Sequence, residues 1–127
     1  MLVKTAVQKR PLVVVVDDDP AVRGALTFAL ELDGFDVEAF ESGEALLLRQ
    51  LPNRPTCLVL DQKLPGISGL EALRQLRARD NVSPAILITS HPKRAIVEAA
   101  AQAGVPIVEK PLLGDTLLED IHRALDS

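Results

Sequence analysis

The chain has few of the features that mark secreted, membrane-spanning or nucleic-acid-binding proteins. One cysteine among 127 residues, Cys57, excludes an internal disulfide and makes the cytoplasm the expected compartment. No apolar stretch approaches the roughly 20 residues of a membrane span, and the first residues lack the apolar centre of a secretory signal. A net charge of -4 argues against nucleic acid or an anionic membrane as a partner.

Aromatic residues are also scarce. There is no tryptophan or tyrosine, and the three aromatic side chains are Phe28, Phe35 and Phe40. Hydrophobic residues nevertheless make up 47% of the sequence, which is enough for the core of one domain of this length.

Short apolar runs alternate with helical patterns along the chain. The expected strands are Val13–Val16, Val37–Phe40, Cys57–Asp61, Ala85–Ile88 and Ile107–Glu109. Alternation of this kind predicts an α/β fold, a doubly wound five-stranded parallel sheet of flavodoxin type with strand order 2-1-3-4-5. Residues 12–127 are expected to form the domain, and residues 1–11 an N-terminal extension.

The helices have recognisable first residues. Asp19, Ser42, Ser68 and Asp115 each precede a helical pattern and are expected to cap it with a side-chain oxygen. Cys57 opens a buried strand and is expected to be a small core residue.

Polar side chains follow four of the expected strands. Asp17 and Asp18 follow the first, and the third, fourth and fifth lead to Asp61, Thr89 and Lys110. Because the carboxyl ends of parallel strands share one edge, these groups are expected to converge there. Carboxylates about 4 Å apart repel by roughly 4 kcal/mol per pair at an effective dielectric constant of about 20. The cluster therefore favours a divalent cation such as Mg2+, together with a phosphoryl group.

Four segments carry a family resemblance. Val13–Asp18, Leu58–Gly69, Ile86–Ser90 and Glu109–Pro111 resemble the signatures of the CheY-like receiver domain of bacterial two-component response regulators. The resemblance runs from about residue 12 to the C-terminus in the family's order. The segment from Asp61 to Gly69, together with Ile88–His91, is most similar to receivers of the FixJ and NarL type and their stand-alone relatives.

The resemblance implies a role for each residue of the cluster. Asp61 would be the phosphoacceptor, taking a phosphoryl group from a phosphohistidine. Thr89 would place its hydroxyl on one phosphoryl oxygen, and Lys110 its ammonium on another. The implied Mg2+ ligands are Asp18 directly, Asp17 mostly through water, Asp61, and the backbone carbonyl of Lys63.

The resemblance also implies partners. A sensor histidine kinase or a histidine phosphotransfer protein would supply phosphate, and a downstream protein would bind the face made by the fourth helix, fifth strand and fifth helix. Direct nucleic-acid or membrane binding is not expected, whereas homodimerisation is an open alternative. The domain would not be an enzyme, although it would promote its own Mg2+-dependent phosphorylation and dephosphorylation. It would serve as a stand-alone phosphate sink or relay, or as the receiver of a transcriptional regulator.

One position departs from the family pattern. Receivers usually have tyrosine or phenylalanine three residues before the lysine, and this ring turns inward when the threonine moves. Here the residue is Ile107, which puts an aromatic output switch in doubt but leaves phosphorylation unaffected. Neither His91 nor His122 has the features of a phosphodonor. His91 lies two residues after Thr89, where it could tune hydrolysis of the acyl phosphate.

Three other functions fit parts of the pattern. A haloacid-dehalogenase-like phosphatase also uses aspartate, threonine, lysine and Mg2+, but it has its nucleophile after the first strand, the opposite order to this chain. An FMN-binding flavodoxin needs a hydroxyl-rich and glycine-rich loop where this chain has Asp17–Asp19, which would repel phosphate. A receiver-like domain used only for protein contacts would not need the complete set of acidic, hydroxyl and lysine residues.

Overall fold

The computed structural model describes residues 10–112 and 114–126. Most of the N-terminal extension expected from the sequence, residues 1–9, lies outside this range. The strands are β1 Leu12–Val16, β2 Asp36–Phe40, β3 Thr56–Asp61, β4 Ala85–Thr89 and β5 Ile107–Glu109. The helices are α1 Pro20–Leu32, α2 Gly43–Leu47, α3 Gly69–Ala78, α4 Arg94–Gln102 and α5 Thr116–Leu125.

The five strands form one parallel sheet in the order β2-β1-β3-β4-β5, which confirms the predicted topology. The register aligns Val16 with Leu60 on β3, and Asp61 with Ile88 on β4. Thr89 is aligned with Glu109, the residue before Lys110. The residues that follow or end β1, β3, β4 and β5 therefore meet at one edge of the sheet.

Each strand sends alternate side chains to opposite faces of the sheet. On one face Val14, Leu58 and Leu87 pack with side chains from α2, α3 and α4. On the other face Val13 and Ile86 belong to a second cluster, with side chains from α1 and α5. Both faces are buried, because helices cover a parallel sheet on both sides. Cys57 is fully buried in the second cluster, as expected, and burial raises the pKa of its thiol to about 12.

Three of the four expected helix caps are present. The side chains of Asp19, Ser42 and Ser68 accept hydrogen bonds from backbone N–H groups in the first turns of α1, α2 and α3. Asp115 occupies the position before α5 but makes no such bond, so that expectation was wrong. Its backbone is not extended (φ -106°, ψ 8°), whereas a capping side chain needs the extended conformation to reach back over the helix end.

Among the described residues, no helix has the length and apolar character needed to cross a membrane.

Candidate functional site

The loop between β1 and α1 brings two carboxylates to the carboxyl edge of the sheet. Asp17 follows the buried β1 and is itself fully buried, and its Oδ1 accepts a hydrogen bond from the Asp19 N–H at 2.9 Å. Asp19 in turn caps α1 through the N–H of Ala21 at 2.9 Å. Asp18, between them, is exposed. The cap therefore uses Asp19 and leaves the carboxylate of Asp18 available to a ligand.

Asp61 lies at the end of the adjacent strand β3 and is 4% exposed. Its Oδ1 accepts a hydrogen bond from the Lys63 N–H at 3.2 Å. One carboxylate oxygen from each of Asp17, Asp18 and Asp61 lies within 4.8 Å of the others. The structure thus brings together the three carboxylates that the sequence placed at this edge.

A single lysine side chain pairs with the two buried carboxylates. Lys110 Nζ lies 2.9 Å from Asp17 Oδ2 and 3.1 Å from Asp61 Oδ2. The Lys110 backbone N–H donates to the carbonyl of Thr89 at 2.9 Å, which fixes the residue beside β4. Thr89 is buried at the end of β4, the neighbour of β3 in the sheet. The expected convergence of Asp17, Asp61, Thr89 and Lys110 is therefore present.

Burial and pairing act in opposite directions on the ionisable groups. Burial raises the pKa of Asp61; the hydrogen bond from Lys110 opposes this rise and the charge of Asp17 adds to it, so that the net pKa is above its usual value. Burial lowers the pKa of Lys110, but its pairing with Asp17 and Asp61 more than compensates, and its net pKa is raised. The site therefore holds a firmly charged ammonium beside crowded carboxylates.

The donor set fits a hard divalent cation. Three carboxylates offer oxygen atoms within a 4.8 Å cluster, and the positive charge of Lys110 offsets the negative charge of only one of them. Mg2+ prefers such oxygen ligands and usually retains several waters, which the exposed Asp18 side of the cluster can accommodate. The backbone carbonyl of Lys63, the fourth ligand implied by the resemblance, stays a prediction.

Three side chains that sequence analysis missed support the loops of the site. Arg23 of α1 donates from Nη1 to the carbonyl of Asp17 at 2.8 Å. Gln62 accepts from the Leu70 N–H at 2.9 Å through Oε1, and its carbonyl accepts from the Gly69 N–H at 3.3 Å. Glu44 of α2 accepts from the Ile67 N–H at 3.0 Å. None of these contacts has a local sequence signal, because each depends on how separate elements pack.

The two histidines lie outside the carboxylate cluster. His91 is exposed and has a left-handed backbone (φ 46°) in the loop after β4. His122 is on α5, where its Nε2 lies 2.6 Å from Asp33 Oδ2 and its ring centroid lies 5.1 Å from that of Phe35. His122 thus bridges α5 and the C-terminus of α1. A role for His91 in acyl phosphate hydrolysis stays a prediction.

The sequence is similar to a described protein family and to several curated proteins. Residues 13–122 match the family described as the response regulator receiver domain. The C4-dicarboxylate transport transcriptional regulatory protein DctD of Pseudomonas aeruginosa is 38% identical over 115 residues, covering 90% of this chain and 25% of DctD. The transcriptional regulatory protein FixJ of Rhizobium meliloti is 38% identical over 111 residues, covering 87% of this chain and 54% of FixJ.

Solved structures show the same likeness. The crystal structure of FixJ-N superposes with a TM-score of 0.83 at 35% identity, covering 94% of this chain and 96% of that chain. The response regulator StyR superposes with a TM-score of 0.80 at 35% identity, covering 92% of this chain and 60% of StyR. The chain spans about half or less of the length of the curated relatives described above.

Proposed function

The chain belongs to the receiver domains of two-component response regulators, and from that premise we propose that Asp61 accepts a phosphoryl group from a phosphohistidine. Receiver domains are signalling domains rather than classical enzymes. The observation that carries the proposal is the arrangement around Asp61, a nearly buried carboxylate held beside Lys110 at the edge where Asp17 and Asp18 also lie.

The proposed reaction is a phosphoryl transfer. A carboxylate oxygen of Asp61 forms a bond to phosphorus as the bond from phosphorus to one imidazole nitrogen of the donor breaks. The electron pair of that bond stays on the nitrogen, and the ring leaves as neutral imidazole because its other nitrogen already carries a proton. Negative charge spreads over the three remaining phosphoryl oxygens during the transfer. Lys110 is already 3.1 Å from Asp61 and supplies an ammonium for one of these oxygens, while the Thr89 hydroxyl supplies a donor for another.

Receiver domains generally bind Mg2+ at an acidic cluster, and here Asp17, Asp18, Asp61 and the Lys63 carbonyl would hold it. When bound, the cation supplies positive charge for the carboxylates and for the phosphoryl oxygens. The Lys63 N–H donates to Asp61 Oδ1, and this bond orients the carboxylate. Autophosphorylation and autodephosphorylation by the domain itself are part of the proposal.

The partners follow from the same chemistry. A sensor histidine kinase or a histidine phosphotransfer protein carries the phosphohistidine, so we place one of these as donor in the cytoplasm. A groove of about 500 Å3 between α1 and the segment after β5 is mainly apolar and includes Lys110, which gives a donor a surface beside the site. The face of α4, β5 and α5 is the proposed surface for a downstream protein or a second copy.

Two outputs remain alternatives within this proposal. FixJ and DctD are described as transcriptional regulatory proteins, and this chain spans 54% and 25% of their lengths. The domain therefore serves either as the receiver of such a regulator or as a stand-alone relay or phosphate sink. The proposal does not require direct contact with nucleic acid or membrane in either case.

The proposal is tested by intact mass spectrometry after incubation with acetyl phosphate and Mg2+. We expect one added phosphoryl group on the wild-type protein and none on Asp61→Asn, because the amide is not a nucleophile. Lys110→Ala should still bind Mg2+ but accumulate little phosphoprotein. Equal labelling of wild type and Asp61→Asn would contradict the proposal.

A further inference from the structure

The first turn of α2 packs against the loop between β3 and α3. Ser42 caps this turn through the N–H of Ala45 at 3.1 Å, and the buried Gly43 follows. A Cβ on Gly43 would lie 2.8 Å from Cγ1 of Ile67, closer than real Cβ atoms approach other heavy atoms. The absence of a side chain at Gly43 therefore lets Ile67 lie directly against α2.

The next residue, Glu44, contacts the same loop through its carboxylate. Its Oε2 accepts a hydrogen bond from the Ile67 N–H at 3.0 Å. Gly66 has a left-handed backbone (φ 80°), and a Cβ there would lie 2.1 Å from Glu44 Oε2. The left-handed backbone itself favours glycine at position 66. The Glu44 side chain is exposed, and its hydrogen bond to the Ile67 N–H is the contact that joins it to this loop.

The loop that Glu44 contacts begins at the phosphoacceptor. Gln62 is fixed to the start of α3 by its carbonyl and its side chain, and the Lys63 N–H is fixed to Asp61 Oδ1. The other end, at Ile67, is tied to Glu44. The backbone carbonyl of Lys63 lies between these two anchors, so the tie at Ile67 limits how far this carbonyl can rotate or shift.

We propose that Glu44 is a positioning residue that holds the β3–α3 loop with the Lys63 carbonyl placed to bind Mg2+. This inference rests on the proposed function, because it takes the acidic cluster and the Lys63 carbonyl as the metal site. Glu44 is not in the carboxylate cluster itself, which consists of Asp17, Asp18 and Asp61 among the described residues. It acts through hydrogen-bond geometry and not as a ligand.

The test is the dissociation constant of Mg2+, measured by calorimetry and by the Mg2+ dependence of the melting temperature. Glu44→Ala removes the acceptor for the Ile67 N–H and should raise the dissociation constant about three- to tenfold. This effect is smaller than the 10- to 100-fold loss of metal affinity that is typical when a residue hydrogen-bonded to a metal-binding residue is removed. The reason is that Glu44 bonds to Ile67, four residues away from Lys63. Glu44→Gln keeps an oxygen acceptor, so its dissociation constant should stay within about twofold of the wild-type value.

A matched control removes the same charge elsewhere. Glu31 is an exposed residue of α1, and Glu31→Ala should leave Mg2+ affinity unchanged. In acetyl phosphate reactions, Glu44→Ala should need more Mg2+ for half-maximal phosphorylation but reach the wild-type rate at saturating Mg2+. Circular dichroism should show equal helix content in all variants.

The possible outcomes separate this inference from the proposed function. No Mg2+ binding by the wild-type protein would contradict the metal site, and with it this inference. Binding by wild type with an unchanged constant in Glu44→Ala would overturn only the role of Glu44. Equal weakening by Glu44→Gln and Glu44→Ala would show that the charge acts and not the hydrogen bond, which also overturns it.

Discussion

At the scale of single residues, opposing effects act on the pKa of Asp61. Burial raises its pKa, Lys110 opposes the rise and Asp17 increases it. The folded protein therefore binds a proton at Asp61 more tightly than the unfolded chain does. Stability from this carboxyl is fully present below its unfolded pKa of about 3.9, and it is lost as pH rises through the higher folded-state value. In the metal-free protein near neutral pH, the ionised Asp61 carboxylate therefore has a cost in folding stability.

This cost predicts the behaviour of Asp61→Asn. In a chelating buffer near neutral pH, the variant should be more stable than wild type, because the substitution removes a buried negative charge while Lys110 still pairs with Asp17. The difference should shrink as the pH falls from neutral towards the unfolded value of about 3.9, because the wild-type carboxyl takes up its proton as the pH passes through its raised pKa. Urea unfolding at both pH values measures it. A variant less stable than wild type near neutral pH would show that Lys110 outweighs the burial of Asp61.

Ile107 is a second residue with a specific consequence. It pairs with Leu87 on β4 and packs against the cluster on the α2–α4 face of the sheet. Isoleucine has stiff χ1 preferences and is smaller than an aromatic ring, so it cannot fill the same space by rotating. We expect beryllofluoride with Mg2+ to shift NMR signals strongly from Thr89 to Ala95 and weakly at the Ile107 methyl groups. Large methyl shifts with an unmoved loop after Thr89 would mean that isoleucine acts as the switch.

The convergence of the charged site residues could be predicted from the sequence, whereas the side chains that hold the loops of the site could not. Asp17, Asp61 and Lys110 follow apolar runs, and parallel strands necessarily bring such residues to one edge. The contact of Glu44 with Ile67 spans 23 positions and depends on how α2 packs beside α3. No local periodicity carries that information.

At the scale of elements, the turn from β3 into α3 is unusually tight. A Cβ on Gly69 would lie 2.5 Å from the backbone carbonyl oxygen of Asp61 and 3.1 Å from Cδ1 of Leu87. Backbone and core atoms cannot move aside as a flexible side chain can. The start of α3 therefore depends on glycine to lie this close to the end of β3.

Gly69→Ala should lower the free energy of unfolding by about 1–3 kcal/mol, the range typical of overpacking in a filled interior. Gly24→Ala is the matched control, because Gly24 lies in α1 with open space around its Cβ position. That substitution should raise stability by about 0.5–1 kcal/mol through helix propensity. Urea unfolding of both variants measures the contrast, and equal stabilities would contradict the steric argument.

The N-termini of the helices could be predicted where a single capping side chain determines them. Asp19, Ser42 and Ser68 cap their helices because each is itself in an extended conformation. Asp115 has the same chemistry but a different backbone, after Gly114 with a left-handed φ of 72°. A residue type predicts a cap only when the preceding chain gives it the required conformation.

At the scale of the whole molecule, the sheet brings together residues from across the chain. Lys110 and Asp61 are 49 positions apart and meet through the order β3-β4-β5. The alternation of strands and helices predicted the layers. The strand order was inferred from the doubly wound flavodoxin type, because handedness and loop length alone do not fix it. A ligand that binds this shared edge should stabilise all of these elements together.

Mg2+ should therefore stabilise the entire domain. At about one hundred times its dissociation constant, it should raise the free energy of unfolding by about 2.7 kcal/mol. Asp18→Ala should abolish this increase, since Asp18 belongs to the carboxylate cluster. Asp19→Ala should retain it while losing about 1 kcal/mol of helix capping. Thermal melts with and without Mg2+ measure both effects, and a wild-type melt that Mg2+ leaves unchanged would contradict the prediction.

The most direct test of the phosphoacceptor is chemical mapping of the modified residue. Borohydride reduces an aspartyl phosphate to homoserine, so protein treated with acetyl phosphate and Mg2+ can be reduced, digested and sequenced by mass spectrometry. We predict homoserine at position 61 and nowhere else, and none when Mg2+ is chelated. Homoserine at Asp17 or Asp18, or phosphorylated protein with Asp61 intact, would contradict it.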